Sequence, residues 1–147
     1  MLVDIDAVTK SEGSYVETIE RLISTKGYAR VTDIAAMLHV KPPSVTNMLQ
    51  KLDQQGYVKY IRYRGVTLTQ KGKRLATILR KRHTALKAFF VLIGVSEATA
   101  ETDACEIEHK IHPKSIEKLA SFLEFLTTFP QAPHLLKSFQ LYSNKEK

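Results

Sequence analysis

A chain of 147 residues, 44% hydrophobic and 25% charged, is sized for one globular domain or two small ones, and no run of about 18 apolar residues offers a membrane span. The net charge of +7 is concentrated: residues 41–87 hold twelve Lys and Arg against one acid, Asp53, while residues 1–40 and 88–147 are each net −2. Such a block points to a polyanionic partner, the single cysteine excludes an internal disulfide and fits a reducing cytoplasm, and acids within the first six residues disfavour a signal peptide.

Residues 11–26 predict a helix, with Tyr15, Ile19, Leu22 and Ile23 at helical spacing and Gly27 as its stop. Residues 31–39 predict a second, with Thr32 as N-cap and Ile34, Ala35 and Leu38 facing inward. Pro42 and Pro43 break it, being tolerated only in a turn or in the first turn of a new helix. That helix, from Ser44, carries the apolar stripe Val45, Met48, Leu49 and Leu52. After Gly56 the period changes to alternation: residues 57–63 and 66–69 predict a hairpin with Gly65 in its turn. Thr69 or Gln70 opens a long helix reaching toward Ile93 and ended by Gly94. Ser96 caps a helix over 97–110, His112-Pro113 makes a joint, and Ile116, Leu119, Ala120, Leu123 and Leu126 mark another up to Phe129-Pro130. Leu135, Leu136, Phe139 and Leu141 predict a short docking helix within 131–147, with Lys145-Glu146-Lys147 frayed.

Helix, short helix, turn, helix and basic hairpin, in that order, describe a winged helix-turn-helix within a mainly α protein. The exposed face of the third helix presents Ser44, Thr46, Asn47, Gln50 and Lys51. Asn and Gln can pair bidentately with adenine in the major groove, and Ser, Thr and Lys can hold phosphates. Lys41 and Pro43 stand at the N-terminal end of that helix, where backbone N–H groups favour phosphate. Arg62 and Arg64, with Lys59, Tyr60 and Tyr63, suit a wing on the DNA backbone or minor groove. A small helical domain with a solvated polar face is the rival explanation, and an RNA partner is disfavoured because no aromatic stacking motif is present.

The stretch Asp-Ala-Cys-Glu-Ile-Glu-His-Lys-Ile-His, residues 103–112, places Cys105, Glu108 and His109 at i, i+3 and i+4, on one helix face. A thiolate, a carboxylate and an imidazole there can hold one metal ion. Glu17 and His83 are further candidates. A buried apolar Cys105, a Glu17–Arg21 pair and a surface or core His83 explain the same residues without metal; Glu106, Lys110 and His112 are expected to face solvent.

The chain resembles the diphtheria-toxin-repressor family of metal-responsive regulators in its short form. The resemblance runs over about residues 11–128 and rests on residues 26–35, 43–53 and 63–73, on Arg82-His83, on Ile93-Gly-Val and on Glu108-His109. It implies a homodimer, with a winged-helix DNA-binding domain in residues 1–70 and an all-helical metal-binding and dimerisation domain in 71–147, whose 71–93 form a linking helix. It implies that metal held between the domains stabilises the arrangement in which both reading heads match operator DNA, so that metal-uptake genes are repressed. The chain leaves no room for the extra C-terminal domain of longer members.

The resemblance also implies a metal set of Ser14, Glu17, His83, Cys105, Glu108 and His109. Glu17, His83, Glu108 and His109 keep the residue types of manganese-responsive members. Position 14 is there an aspartate, and a methionine in the iron-responsive type; here it is Ser. Position 105 is a glutamate in manganese-responsive members and a cysteine in the iron-responsive type; here it is Cys, so a second ion is in doubt. The expected ion is Mn²⁺, with Fe²⁺ as the alternative and Zn²⁺ or Co²⁺ able to bind, because a thiolate favours softer ions. Rival functions are a winged-helix regulator that senses oxidants or an organic ligand through Cys105, and an enzyme with Cys105 as nucleophile. The latter lacks an orienting third group and an oxyanion turn, so the expectation is no catalysis, no organic substrate and no membrane partner.

Overall fold

The computed structural model describes residues 3–145, so Glu146 and Lys147 of the expected frayed terminus lie outside the described residues. The chain divides into two compact units, Met1–Arg80 and Lys81–Lys147. No helix among the described residues is long and apolar enough to cross a membrane.

In the first unit a 3-10 turn, Ile5–Ala7, precedes α1 (Lys10–Lys26), α2 (Val31–Leu38) and α3 (Pro42–Gln54). An antiparallel hairpin follows, β1 (Val58–Ile61) and β2 (Gly65–Leu68), with Val58 opposite Leu68 and Ile61 opposite Gly65. The start of α4 (Gln70–Leu92) completes the unit. Val16 and Ile19 of α1, Ile34 of α2, Leu49 and Leu52 of α3, and Leu75 and Leu79 of α4 are buried in one core. Each comes from the apolar stripe of an amphipathic helix, which folds stably only when that stripe leaves water. Ile23, Leu38 and Met48 pack at its edge, half-buried.

Two local signals in this unit differ from expectation. Thr32 is not the N-cap of α2; Arg30 is, and it makes no side-chain capping bond. Ala29 pairs with Val66 as an isolated bridge, and Val66 N donates to Ala29 O at 3.1 Å, which holds the backbone extended through Arg30. The helix therefore begins at Val31. In the hairpin, the left-handed turn residue is Tyr63, at φ 65°, while Gly65 opens β2. Glycine is required at 65 for another reason: at φ 110°, an added Cβ would lie 2.7 Å from Ala29 O.

α1 begins one residue earlier than the apolar pattern, because Thr9 is its N-cap and accepts from Glu12 N at 3.1 Å. The sequence Thr-Lys-Ser-Glu has capping-box spacing, a signal the apolar period alone does not carry.

The second unit holds the rest of α4 together with α5 (Glu97–Ile107), α6 (Pro113–Thr128) and α7 (Ala132–Lys145). Ser96 caps α5 by accepting from Thr99 N at 3.3 Å. α5 stops at Ile107, three residues short of the expected 110. The buried Arg82 donates to Glu108 O at 3.1 Å and to Ile111 O at 2.9 Å, taking up carbonyls where the helix ends. The expected joint is present: His112 caps α6 and its Nδ1 accepts from Lys114 N at 3.1 Å. No described residue of α6 is fully buried, and Phe122, Phe125, Leu135, Phe139 and Leu141 of α6 and α7 remain exposed.

Candidate metal centre and reading head

In the reading head, α3 exposes Ser44, Asn47 and Gln50, with Lys41 and Pro43 exposed at its start. Thr46 is half-buried, and its hydroxyl donates to Pro42 O at 3.3 Å. The wing tip carries Arg62, Tyr63 and Arg64. Tyr63 is 92% exposed and the Arg62 guanidinium lies 5.1 Å from its ring centre. A planar ring flanked by two cations can lie on a sugar-phosphate strand. Asp53, the single acid of the basic block, is used internally: its carboxylate accepts from Tyr60 N at 2.9 Å and ties α3 to the wing.

Lys51 differs from its neighbours on the face. Its ammonium lies 2.8 Å from Glu12 Oε1, and Glu12 is only 2% exposed. Glu12 Oε2 has no hydrogen-bond partner in the structure. A buried carboxylate left without its cation is costly. Lys51→Met is therefore expected to lower unfolding stability by about 2 kcal/mol, while the salt dependence of DNA binding stays unchanged. Denaturant melts and binding isotherms at several salt concentrations check this. A slope reduced by about one with stability intact would assign Lys51 to a phosphate instead.

The metal candidates lie as follows. Ser14 and Glu17 are half-buried on α1, one turn apart. In the second unit, Glu108 is fully buried and the His109 side chain is 4% exposed. Glu108 Oε2 lies 2.8 Å from His83 Nδ1. Glu108 Oε1 lies 3.3 Å from His109 Nε2 but makes no hydrogen bond, and His109 Nδ1 is likewise without one. Buried polar atoms are rarely left so. A fully buried carboxylate and an imidazole with unsatisfied donor atoms are the donor chemistry a divalent transition ion takes, so these residues fit one.

Cys105 is exposed, as are Glu106 and His112, so the apolar-core explanation of this cysteine does not hold. Its sulfur belongs with His83 and Glu101: one donor atom from each lies within 4.8 Å of the others. Glu101 escapes the sequence analysis. It stands four residues before Cys105, one helical turn back on the same face, and that spacing is the signal that could have found it. Its carboxylate lies 3.0 Å from His83 Nε2 through Oε1 and 3.0 Å from Lys87 Nζ through Oε2. The Lys87 ammonium, then the His83 ring, hold the Glu101 carboxyl below its ordinary range, and the same hydrogen bond raises Lys87. Each ring nitrogen of His83 thus faces a carboxylate, Glu108 on one side and Glu101 on the other.

Two family models match the chain: the iron-dependent repressor N-terminal DNA-binding domain over residues 7–66, and the iron-dependent repressor metal-binding and dimerisation domain over residues 69–135. The HTH-type transcriptional regulator MntR of Listeria welshimeri serovar 6b is 42% identical over 132 residues, covering 90% of this chain and 93% of that protein. The structure of the IdeR of T. acidophilum superposes with a TM-score of 0.67 at 29% identity, over 80% of this chain and 55% of that one. The manganese regulator SloR superposes with a TM-score of 0.71 at 25% identity, again over 80% and 55%.

Proposed function

The chain belongs to the iron-dependent repressor family of metal-dependent transcriptional regulators, which are not enzymes, and from that premise we propose that it binds operator DNA as a cytoplasmic homodimer when loaded with Mn²⁺ and represses metal-uptake genes. The observation that carries this is the buried Glu108–His109 pair, whose Oε1 and Nδ1 have no hydrogen-bond partner. The 42% identity to MntR favours manganese, and Fe²⁺ is the rival ion because Cys105 brings sulfur to the set.

A bound divalent cation would supply the positive charge that these donors lack among themselves. Glu108 and His109 hold it, His83 is oriented by the Glu108 carboxylate at 2.8 Å, and Arg82 fixes the Glu108 backbone. Glu17 and Ser14 complete the proposed set on the strength of the family resemblance. In the head, Asn47 and Gln50 read base edges, Ser44, Lys41, Arg62 and Arg64 hold phosphates, and Pro43 starts the reading helix. The exposed Phe122, Phe125, Leu135 and Phe139 give α6 and α7 an apolar surface that a second copy of the chain would cover.

The test is binding to the promoter DNA of the chain's own gene, titrated separately with Mn²⁺, Fe²⁺ and Zn²⁺, with bound metal per subunit and sedimentation measured alongside. Mn²⁺ is expected to tighten binding of a dimer by about 100-fold, a coupling of about 2.7 kcal/mol, and His109→Ala to abolish the tightening while the dimer persists. Equal affinity with and without metal would refute the reading.

A further inference from the structure

The start of α2, the reading helix α3 and the wing border an open groove of about 350 Å³, wholly within the first unit. Both of its rims are cationic. On the α2 side the exposed Arg30 lies with its guanidinium 4.7 Å from the centre of the Tyr28 ring, and Tyr28 is itself exposed. On the wing side the exposed Arg62 lies 5.1 Å from the centre of the Tyr63 ring. Thr32, Thr46 and Tyr60 line the space between, and no acid is among the described residues lining it. The two rims are also fastened to each other. Val66 N donates to Ala29 O at 3.1 Å, and that carbonyl leaves no room for a Cβ at Gly65. Arg30 directly follows Ala29, so its backbone is tied to the wing.

We propose that this groove seats one sugar-phosphate strand of DNA, with Arg30 and Arg62 on its phosphates and Tyr28 as the positioning residue that holds Arg30 ready. A guanidinium is a planar fork whose N–H groups match phosphate oxygens two at a time. The ring of Tyr28 occupies only the face of that plane, so the in-plane donors stay available to an anion. Ordering a long side chain is part of the cost of binding, and a stack already formed before the DNA arrives removes some of it. Two guanidiniums facing one groove without an acid between them also make a local positive potential that a polyanion relieves. Thr46 belongs both to the groove and to α3, so a strand seated here borders the major groove that α3 reads. The contact carries no base information. It sets the register of the reading head and adds affinity for any sequence.

The inference deepens the proposed DNA-binding function and rests on it. Its test is fluorescence anisotropy of the Mn²⁺-loaded full chain at several salt concentrations, on the promoter duplex of its own gene and on a scrambled duplex of equal length. Arg30→Gln is expected to weaken both complexes about fivefold near physiological salt, and to lower the slope of log affinity against log salt by about one. Arg30→Lys is expected to keep the slope while recovering only part of the affinity, because it keeps the charge and loses the fork. Tyr28→Leu is expected to keep the slope and weaken both complexes about threefold. Added to Arg30→Gln it should cost nothing further, since the ring acts through the guanidinium. Should Arg30→Gln not fold, as judged by circular dichroism, Arg30→Met carries the same comparison. An unchanged slope in Arg30→Gln, or a loss confined to the promoter duplex, overturns the proposal; additive losses in the double variant overturn the role of Tyr28. If Mn²⁺ does not tighten the parent chain on its promoter, the metal-sensor reading falls, while the slope on scrambled DNA still decides the seat.

Discussion

Glu108→Gln is expected to weaken Mn²⁺ binding by about 100-fold or more, and with it to erase the metal-dependent tightening on operator DNA. The substitution keeps volume and shape, and leaves the backbone carbonyl that Arg82 binds at 3.1 Å untouched. What it removes is the negative charge and one oxygen's capacity to accept. Because Glu108 is fully buried, no water replaces that oxygen. His83 also loses its charged partner at Nδ1, so its ring orientation loosens at the moment the ion loses a ligand. Isothermal titration with Mn²⁺ and fluorescence anisotropy on labelled operator check this, with sedimentation to establish that the dimer persists. Operator binding that still tightens with Mn²⁺ would remove Glu108 from the centre.

In the reading head the largest effect is expected at a residue with no chemistry. Gly72→Ala should cost about 3 kcal/mol or more of stability and leave little folded reading head at physiological temperature. Gly72 sits in the first turn of α4 with ordinary helical geometry, so backbone freedom is not the reason for glycine. A Cβ there would fall 2.0 Å from Tyr57 O and 3.3 Å from Leu68 Cδ2. The carbonyl is backbone and cannot turn aside. Thr69 creates this closeness: its backbone N and hydroxyl both donate to Tyr57 O at 3.1 Å, and its oxygen accepts from Gly72 N at 3.1 Å. α4 is thereby fastened to the end of the segment that enters the wing. Thermal melts of Gly72→Ala, with Gly94→Ala as the contrast because nothing lies within 4 Å of a Cβ there, check the claim. Gly94 has φ 102°, so that variant carries backbone strain but no clash, and the smaller loss is expected from it. A Gly72→Ala melt equal to the parent chain's would show that the helix start shifts freely.

The elements were legible in the sequence because each carries its own periodic signal. Apolar residues recurring every three to four positions marked α1, α2, α3 and α6, and alternation after Gly56 marked the hairpin. Gly27, Ser96 and His112-Pro113 marked boundaries that the structure keeps. The misplacements share a cause. The start of α2 depends on the Ala29–Val66 bridge, the end of α5 on Arg82, and the glycine at 65 on Ala29 O, which would lie 2.7 Å from an added Cβ. Each partner stands more than twenty residues away in sequence, where no local period reports it.

The amino-acid sequence alone therefore determined the order of elements, the basic block and the shared helix face of Cys105, Glu108 and His109, since these depend on composition and short-range spacing. Only the tertiary structure decided how the charges are used. It turned Lys51 toward buried Glu12, spent Asp53 on the wing, left Glu108 Oε1 and His109 Nδ1 without hydrogen bonds, and grouped Cys105 with Glu101 rather than burying it. A residue's charge is read from its name, but its partner is set by which helices pack face to face. Because the energy of a buried charge depends on that partner and on the water excluded around it, the division of labour within the site became visible only in three dimensions.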